Sequence, residues 1–250
     1  AAMAKPTPDQ RIEQALWRAS VYEFLAHAFA YPDDERVAAL QESATEVLAS
    51  GGSIPVMRAA AIAKEAGREY LESAYVSLTT FSSSPDAPAF ESAYFGSDAQ
   101  QQTQRMADIA GFYRAFGVDA TAGGFRPDEL PVELEFMAYL CRKEAYAEEH
   151  LGAPRAGQAR KAQRMFLEEH LGCWGAVFGR KVAAQAPIAH FYQVAGETLA
   201  YWIGRECTTA GVTPQEVSGE ASRHWPTPTS HGPEFAGNAS FVPMEELAVR

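Results

Sequence analysis

The stretch RPDELPVELEFMAYLCRKEAY, residues 126–146, decides the fold. It opens with a helix-entry signal. Asp128 stands where an N-cap belongs, and Glu129 adds negative charge to the first turn. Pro131 falls within that turn, where a missing N–H costs little. Leu130, Leu134, Met137 and Cys141 follow at intervals of four, three and four, so they share one helical face. Val132, Phe136 and Tyr139 widen that face until the helix is apolar on most sides, the pattern of a buried central helix. Glu133 and Glu135 interrupt the apolar run. Periodicity alone turns them to solvent, because carboxylates are seldom buried unless paired.

The flanking sequence reads as helix after helix. The spacing predicts helices over residues 9–30, from Asp33-Asp34 to Gly51-Gly52, over 55–78 and over 98–116. Gly117 closes the last of these, and residues 119–125, DATAGGF, form a connector. Beyond the central helix, Gly152 and Pro154 precede a basic amphipathic stretch over 155–171. Another helix begins near Trp174, and a strongly apolar one runs over 188–207. Glu-Glu-His at 148–150 and 168–170 reads as two similar helix endings, each His facing a helix dipole. No alternating strand pattern occurs. The expected fold is all-α, a single helical-bundle domain of about eight helices over 9–210. An irregular tail rich in Pro, Ser, Thr and Gly follows over 211–250, with isolated Trp225, Phe235 and Phe241.

Composition narrows the function. Hydrophobic residues make up 47% of 250, enough for a proper core. The net charge of −11 argues against nucleic acid and suits a basic partner. Residues 91–150 carry five Lys/Arg against eleven Asp/Glu, so over half of the excess charge lies in about a quarter of the length. Cys141, Cys173 and Cys207 stand far apart in apolar helical contexts and read as small buried hydrophobes of a reducing compartment. The first residues lack the apolar core of a signal peptide, and no run is long enough to span a membrane.

Motifs of catalysis are missing. There is no phosphate-binding glycine loop, no HExxH, no paired Glu-x-x-His and no GxSxG. His190 lies in an apolar stretch and reads as a core histidine. No catalytic residue, metal ligand or cofactor is expected. What remains is an acidic helical surface, either a solvated acidic face or a groove whose carboxylates pair with arginine while its aromatics take up apolar groups of a peptide. Glu91, Asp128, Glu129 and Glu133 are the expected acidic rim, with Tyr94 and Phe125 beside it. Phe125 follows Gly123-Gly124; it either swings onto a partner or packs as a staple on the central helix.

Several segments resemble, in order and spacing, the maturation chaperones of molybdenum enzymes, the TorD/DmsD/NarJ type. They are LESAYVSL at 71–78, FESAY at 90–94, MADIAGFYRAFG at 106–117, RPD at 126–128 and ELEFM at 133–137. KEAYA at 143–147, FLEEHL at 166–171 and Phe191-Tyr192 continue the pattern, over roughly residues 10–207. The branch serving type II dimethyl sulfoxide reductase-family enzymes is the most similar. The resemblance implies a helical, non-catalytic cytoplasmic protein, with the oligomeric state open between monomer and homodimer. Its implied partner is the apo catalytic subunit of a bis-molybdopterin guanine dinucleotide enzyme, often bound through a twin-arginine leader and held until the cofactor is inserted. It implies peptide contacts at Glu91 and Tyr94 and at the loop holding Gly117 and Asp128. Two departures stand out: Asp128-Glu129 replaces a common Asp-His, and Leu78-Thr79-Thr80 replaces a common Leu-Phe-Gly. Two rival expectations are an assembly subunit that stays on its enzyme and a helical enzyme using the Glu133/Glu135 region.

Overall fold

The computed structural model describes residues 6–79, 87–95, 99–119 and 126–218. Within them lie nine α-helices: α1 (Pro8–Phe29), α2 (Asp34–Ser50), α3 (Ile54–Glu65), α4 (Arg68–Thr79), α5 (Ala99–Ala115), α6 (Leu130–His150), α7 (Ala153–Phe166), α8 (Gly172–Gln185) and α9 (Phe191–Ala210). A 3-10 turn spans Glu91–Tyr94, and a π turn spans Leu167–Leu171. The described residues contain no strand; an isolated bridge pairs Phe90 with Glu129. The all-α expectation therefore holds.

Capping explains where the helices begin. Thr7 and Gln10 form a capping box at α1, each side chain bonding the other's backbone N–H at 3.3 and 2.9 Å. Asp33 caps α2 by accepting from Arg36 N at 2.8 Å. Gly117, at φ +77°, closes α5, and Val118 N reaches back to Tyr113 O at 3.0 Å.

Helix α6 is the axis of the bundle. Leu134, Phe136, Met137, Leu140 and Cys141 are buried on it, and α1 and α7 flank it. Phe136 packs among Tyr113, Phe116 and Phe112 of the α5 region and Phe166 of α7, with ring centroids 4.5–6.1 Å apart. A polar seam crosses the same bundle. Arg18 bonds Glu206, Glu144 and Gln163, while Arg160 joins Glu144 to Glu148 and Arg11 grips Glu148 with two N–H groups. The seam ties α1, α6, α7 and α9 through charges that are paired rather than merely buried. Glycines let α8 and α9 cross closely: a Cβ added to Gly179 would lie 2.6 Å from Gly196 O.

Four details differ from the sequence reading. The helix expected over 55–78 is two helices, because Ala66 is extended and its carbonyl accepts from Gln41 Nε2 at 2.9 Å. Residues 155–185 are not two separate helices; α7 runs through the π turn into α8, so His170 lies mid-helix and not at an end. His190 is no core histidine. It caps α9 by accepting from Tyr192 N at 3.2 Å and stacks on Tyr70 at 4.2 Å. Glu133 is fully buried despite its helical phase, whereas Glu135 sits at the margin 3.8 Å from Arg36. The three cysteines are free and buried, as expected. After α9 the chain turns along α8, with Val217 N bonding Cys173 O at 3.0 Å and Glu216 bonding Arg180 at 2.8 Å. The aromatic tail residues Trp225, Phe235 and Phe241 lie outside the described residues.

Candidate functional site

The site is built where the 3-10 turn meets the start of α6. Glu91 N donates to Asp128 O at 2.8 Å, and Leu130 N donates to Ala89 O at 3.0 Å. The Asp128 carboxylate then accepts from Ser92 N at 3.0 Å. Asp128 therefore caps the 3-10 turn and not α6; the N-cap position of α6 falls to Glu129, whose side chain makes no capping bond. Residues 36 apart in sequence become one rigid unit.

Glu91, Asp128 and Glu133 each have an internal partner. Arg126 donates through Nε and Nη2 to the two Asp128 oxygens at 3.1 and 3.2 Å, and Nη2 also reaches Ser92 Oγ at 3.0 Å. Its guanidinium lies over the Phe90 ring, 4.4 Å from the centroid. Arg105 of α5 donates to Glu91 at 2.7 Å and to the Glu169 carbonyl, and lies over the Phe95 ring at 4.1 Å. His170 places Nδ1 3.2 Å from both Glu91 oxygens. The π turn makes this contact available, since the extra residue in the turn rotates His170 into the interior. Among the described residues no cation bonds Glu133 directly. Trp174 Nε1 donates to both of its oxygens at 3.2 Å, and burial, reinforced by nearby Glu91, pushes its pKa well above the carboxylate range. Burial also raises the pKa of Glu129, with Arg126 opposing the shift.

Tyr94 ends the turn half-buried. Its hydroxyl donates to Pro88 O at 3.1 Å, its ring lies 5.5 Å from Trp174, and Lys181 stands over it at 5.6 Å. Burial raises its phenol pKa, so it stays neutral.

The structure thus gathers Glu91, Tyr94, Asp128, Glu129 and Glu133, but it corrects the open acidic rim. Glu91, Asp128 and Glu133 are fully buried, because Arg105, His170, Arg126, the Ser92 N–H and Trp174 satisfy them from within. The outer face carries half-buried rings, Phe90, Tyr94 and Phe95, and the partly exposed guanidiniums of Arg105 and Arg126. Gly117 ends α5 and does not join the carboxylates. Phe125 lies outside the described residues. Sequence reasoning passed over Arg105, His170 and Trp174 as site residues. The adjacency of Glu169 and His170 conceals a His–Glu pair made with Glu91 in another segment.

The described residues hold no group of three or more His, Cys, Asp or Glu placed to bind a metal ion. The cysteine thiols are pushed up by burial, Cys173 to about 11 and Cys141 to about 12, away from nucleophilic reactivity at neutral pH.

Comparison with known proteins decides the family. The family model described as nitrate reductase delta subunit matches residues 29–180, which include the 3-10 turn, α6 and the π turn. The chain belongs to the nitrate reductase delta subunit family. It is also 31% identical over 193 residues to a perchlorate reductase assembly chaperone protein of Dechloromonas aromatica (strain RCB), covering 73% of this chain and 85% of the relative. Family membership bears out the resemblance to NarJ/TorD-type molybdoenzyme maturation chaperones. It also makes this delta-subunit family member an assembly factor rather than a catalyst. Among the described residues, no helix is long and apolar enough to cross a membrane.

Proposed function

We propose that this chain holds the apo catalytic subunit of a dimethyl sulfoxide reductase-family molybdoenzyme in the cytoplasm. It releases the subunit once the bis-molybdopterin guanine dinucleotide cofactor is inserted, and export follows. The client meets the face formed by the Glu91–Tyr94 turn and the start of α6, and an arginine-bearing leader of the client binds there. The observation that carries this reading is the Asp128 clamp. It joins two of the segments that carry the family resemblance into one unit and lines the unit's outer edge with Phe90, Tyr94 and Phe95. Half-buried rings on a rigid turn suit apolar parts of a peptide at low entropic cost. Glu129, half-buried at the rim, supplies a carboxylate on the outer side, while Glu91, Asp128 and Glu133 act from behind by fixing the turn.

The test is co-expression with the molybdoenzyme catalytic subunit encoded beside this chain. The proposal expects co-purification with the cofactor-free subunit and release from the cofactor-loaded one. Equal retention on the mature enzyme would instead make this chain a resident subunit. Tyr94→Ala combined with Glu129→Ala is expected to weaken binding of the apo subunit while leaving the helical spectrum intact.

A further inference from the structure

The two guanidiniums of the site are held unequally. Arg126 meets Asp128 as a fork, with Nε and Nη2 on separate oxygens and Nη2 shared with Ser92. Arg105 gives Glu91 a single N–H, from Nη2; its Nε is buried with no hydrogen-bond partner among the described residues. Such an orphaned donor marks a poor internal fit. Around it, however, the place is shaped for a planar cation. A fully buried carboxylate lies on one side, the Glu169 carbonyl on another and the Phe95 ring beneath, with 21% of the Arg105 side chain open to solvent.

We propose that Arg105 is a displaceable internal ligand, and that an arginine of a bound client segment takes its place on Glu91. The exchange of one guanidinium for another keeps the buried carboxylate paired, so its desolvation is never left uncompensated. Arg105, tethered to α5, already lies over Phe95 but gives Glu91 only one N–H, whereas an incoming guanidinium can keep that stack and use both Glu91 oxygens as a fork. Arg105 then turns outward along the opening it already borders. Lysine cannot substitute, because a point-like ammonium lacks the planar fork and the stacking face. Asp128 keeps Arg126 throughout, so the site accepts one new guanidinium and not two. The inference rests on the client-holding function proposed above, and it adds the mechanism by which an empty chaperone protects its own receptor.

The experiment uses the full chain and the probe N-acetyl-arginyl-arginine amide, with the lysyl-lysine analogue as control. Removing an internal competitor raises the fraction of sites free to bind. Arg105→Ala is expected to bind the diarginine probe about ten-fold more tightly than the unaltered chain, with no such gain for the dilysine. Equal or weaker diarginine binding by a folded Arg105→Ala chain would overturn the proposal. If that variant does not fold, the arginine side-chain nitrogen spectrum of the unaltered chain decides. The Arg105 Nε signal must move when the diarginine saturates; a stationary signal overturns the proposal. No catalytic subunit is present in this assay, so its outcome is independent of the co-purification that tests the proposed function.

Discussion

Glu91 and His170, 79 residues apart in sequence, meet at 3.2 Å because the helix between α7 and α8 contains a π turn. A regular α-helix would carry His170 about 100° away from that position for each residue of register. The π turn thus brings the 3-10 turn, α5 through Arg105 and α8 through Trp174 around one buried carboxylate pair, Glu91 and Glu133.

Removal of the Glu91 charge should therefore be costly. Glu91→Ala leaves Arg105 and His170 without their shared partner in a buried place, and breaking a buried pair on one side costs about 3–5 kcal/mol. Urea unfolding checks this. A loss below about 1 kcal/mol would mean that water already reaches the pair in solution.

The α8–α9 crossing should tolerate added bulk poorly. An alanine at Gly196 places its Cβ 2.5 Å from Gly179 O and 2.8 Å from Ala183 N, both backbone atoms that cannot swing away. Gly179→Ala and Gly196→Ala should each destabilise by about 1–3 kcal/mol through forced separation of the helices. Gly204 lies in the same helix α9 with nothing within 4 Å of its Cβ position. Gly204→Ala should accordingly stabilise by about 0.5–1 kcal/mol through helix propensity. Thermal unfolding of the three variants separates crowding from propensity.

Stability should also fall as pH rises, owing to Glu133 and Glu135. Burial raises Glu133 well above the carboxylate range and Glu135 to about 7. A folded-state pKa above the unfolded value means that the folded chain holds the proton more tightly. The stabilising contribution is complete below the unfolded value of about 4.3 and is lost as pH climbs through the folded one. Glu133→Gln keeps an acceptor for Trp174 Nε1 and removes the titration. Its stability should decline less than that of the unaltered chain between pH 5 and 8, as urea midpoints across that range would reveal.

The helices were legible because their periodicity is long and their caps are local. Leu130, Leu134, Met137 and Cys141 are all buried on α6, as their spacing requires. The site was less legible because its partners come from different segments. Asp128 carries a good N-cap side chain, but the backbone pairing of Ala89 and Glu91 with residues 128–130 draws it to Ser92 instead. Periodicity sent Glu133 to solvent; no local pattern reveals that Trp174, 41 residues away, will supply its donor. The π turn has no sequence mark of its own, so His170 read as a helix ending.

Hydrogen–deuterium exchange on the full chain, with and without the apo catalytic subunit, tests the central claim most directly. New protection should concentrate in residues 88–95 and 126–134, the two segments clamped by Asp128, with little change at the far ends of α2 and α3. Protection confined to α2 and α3, with both clamped segments unaffected, would contradict the account.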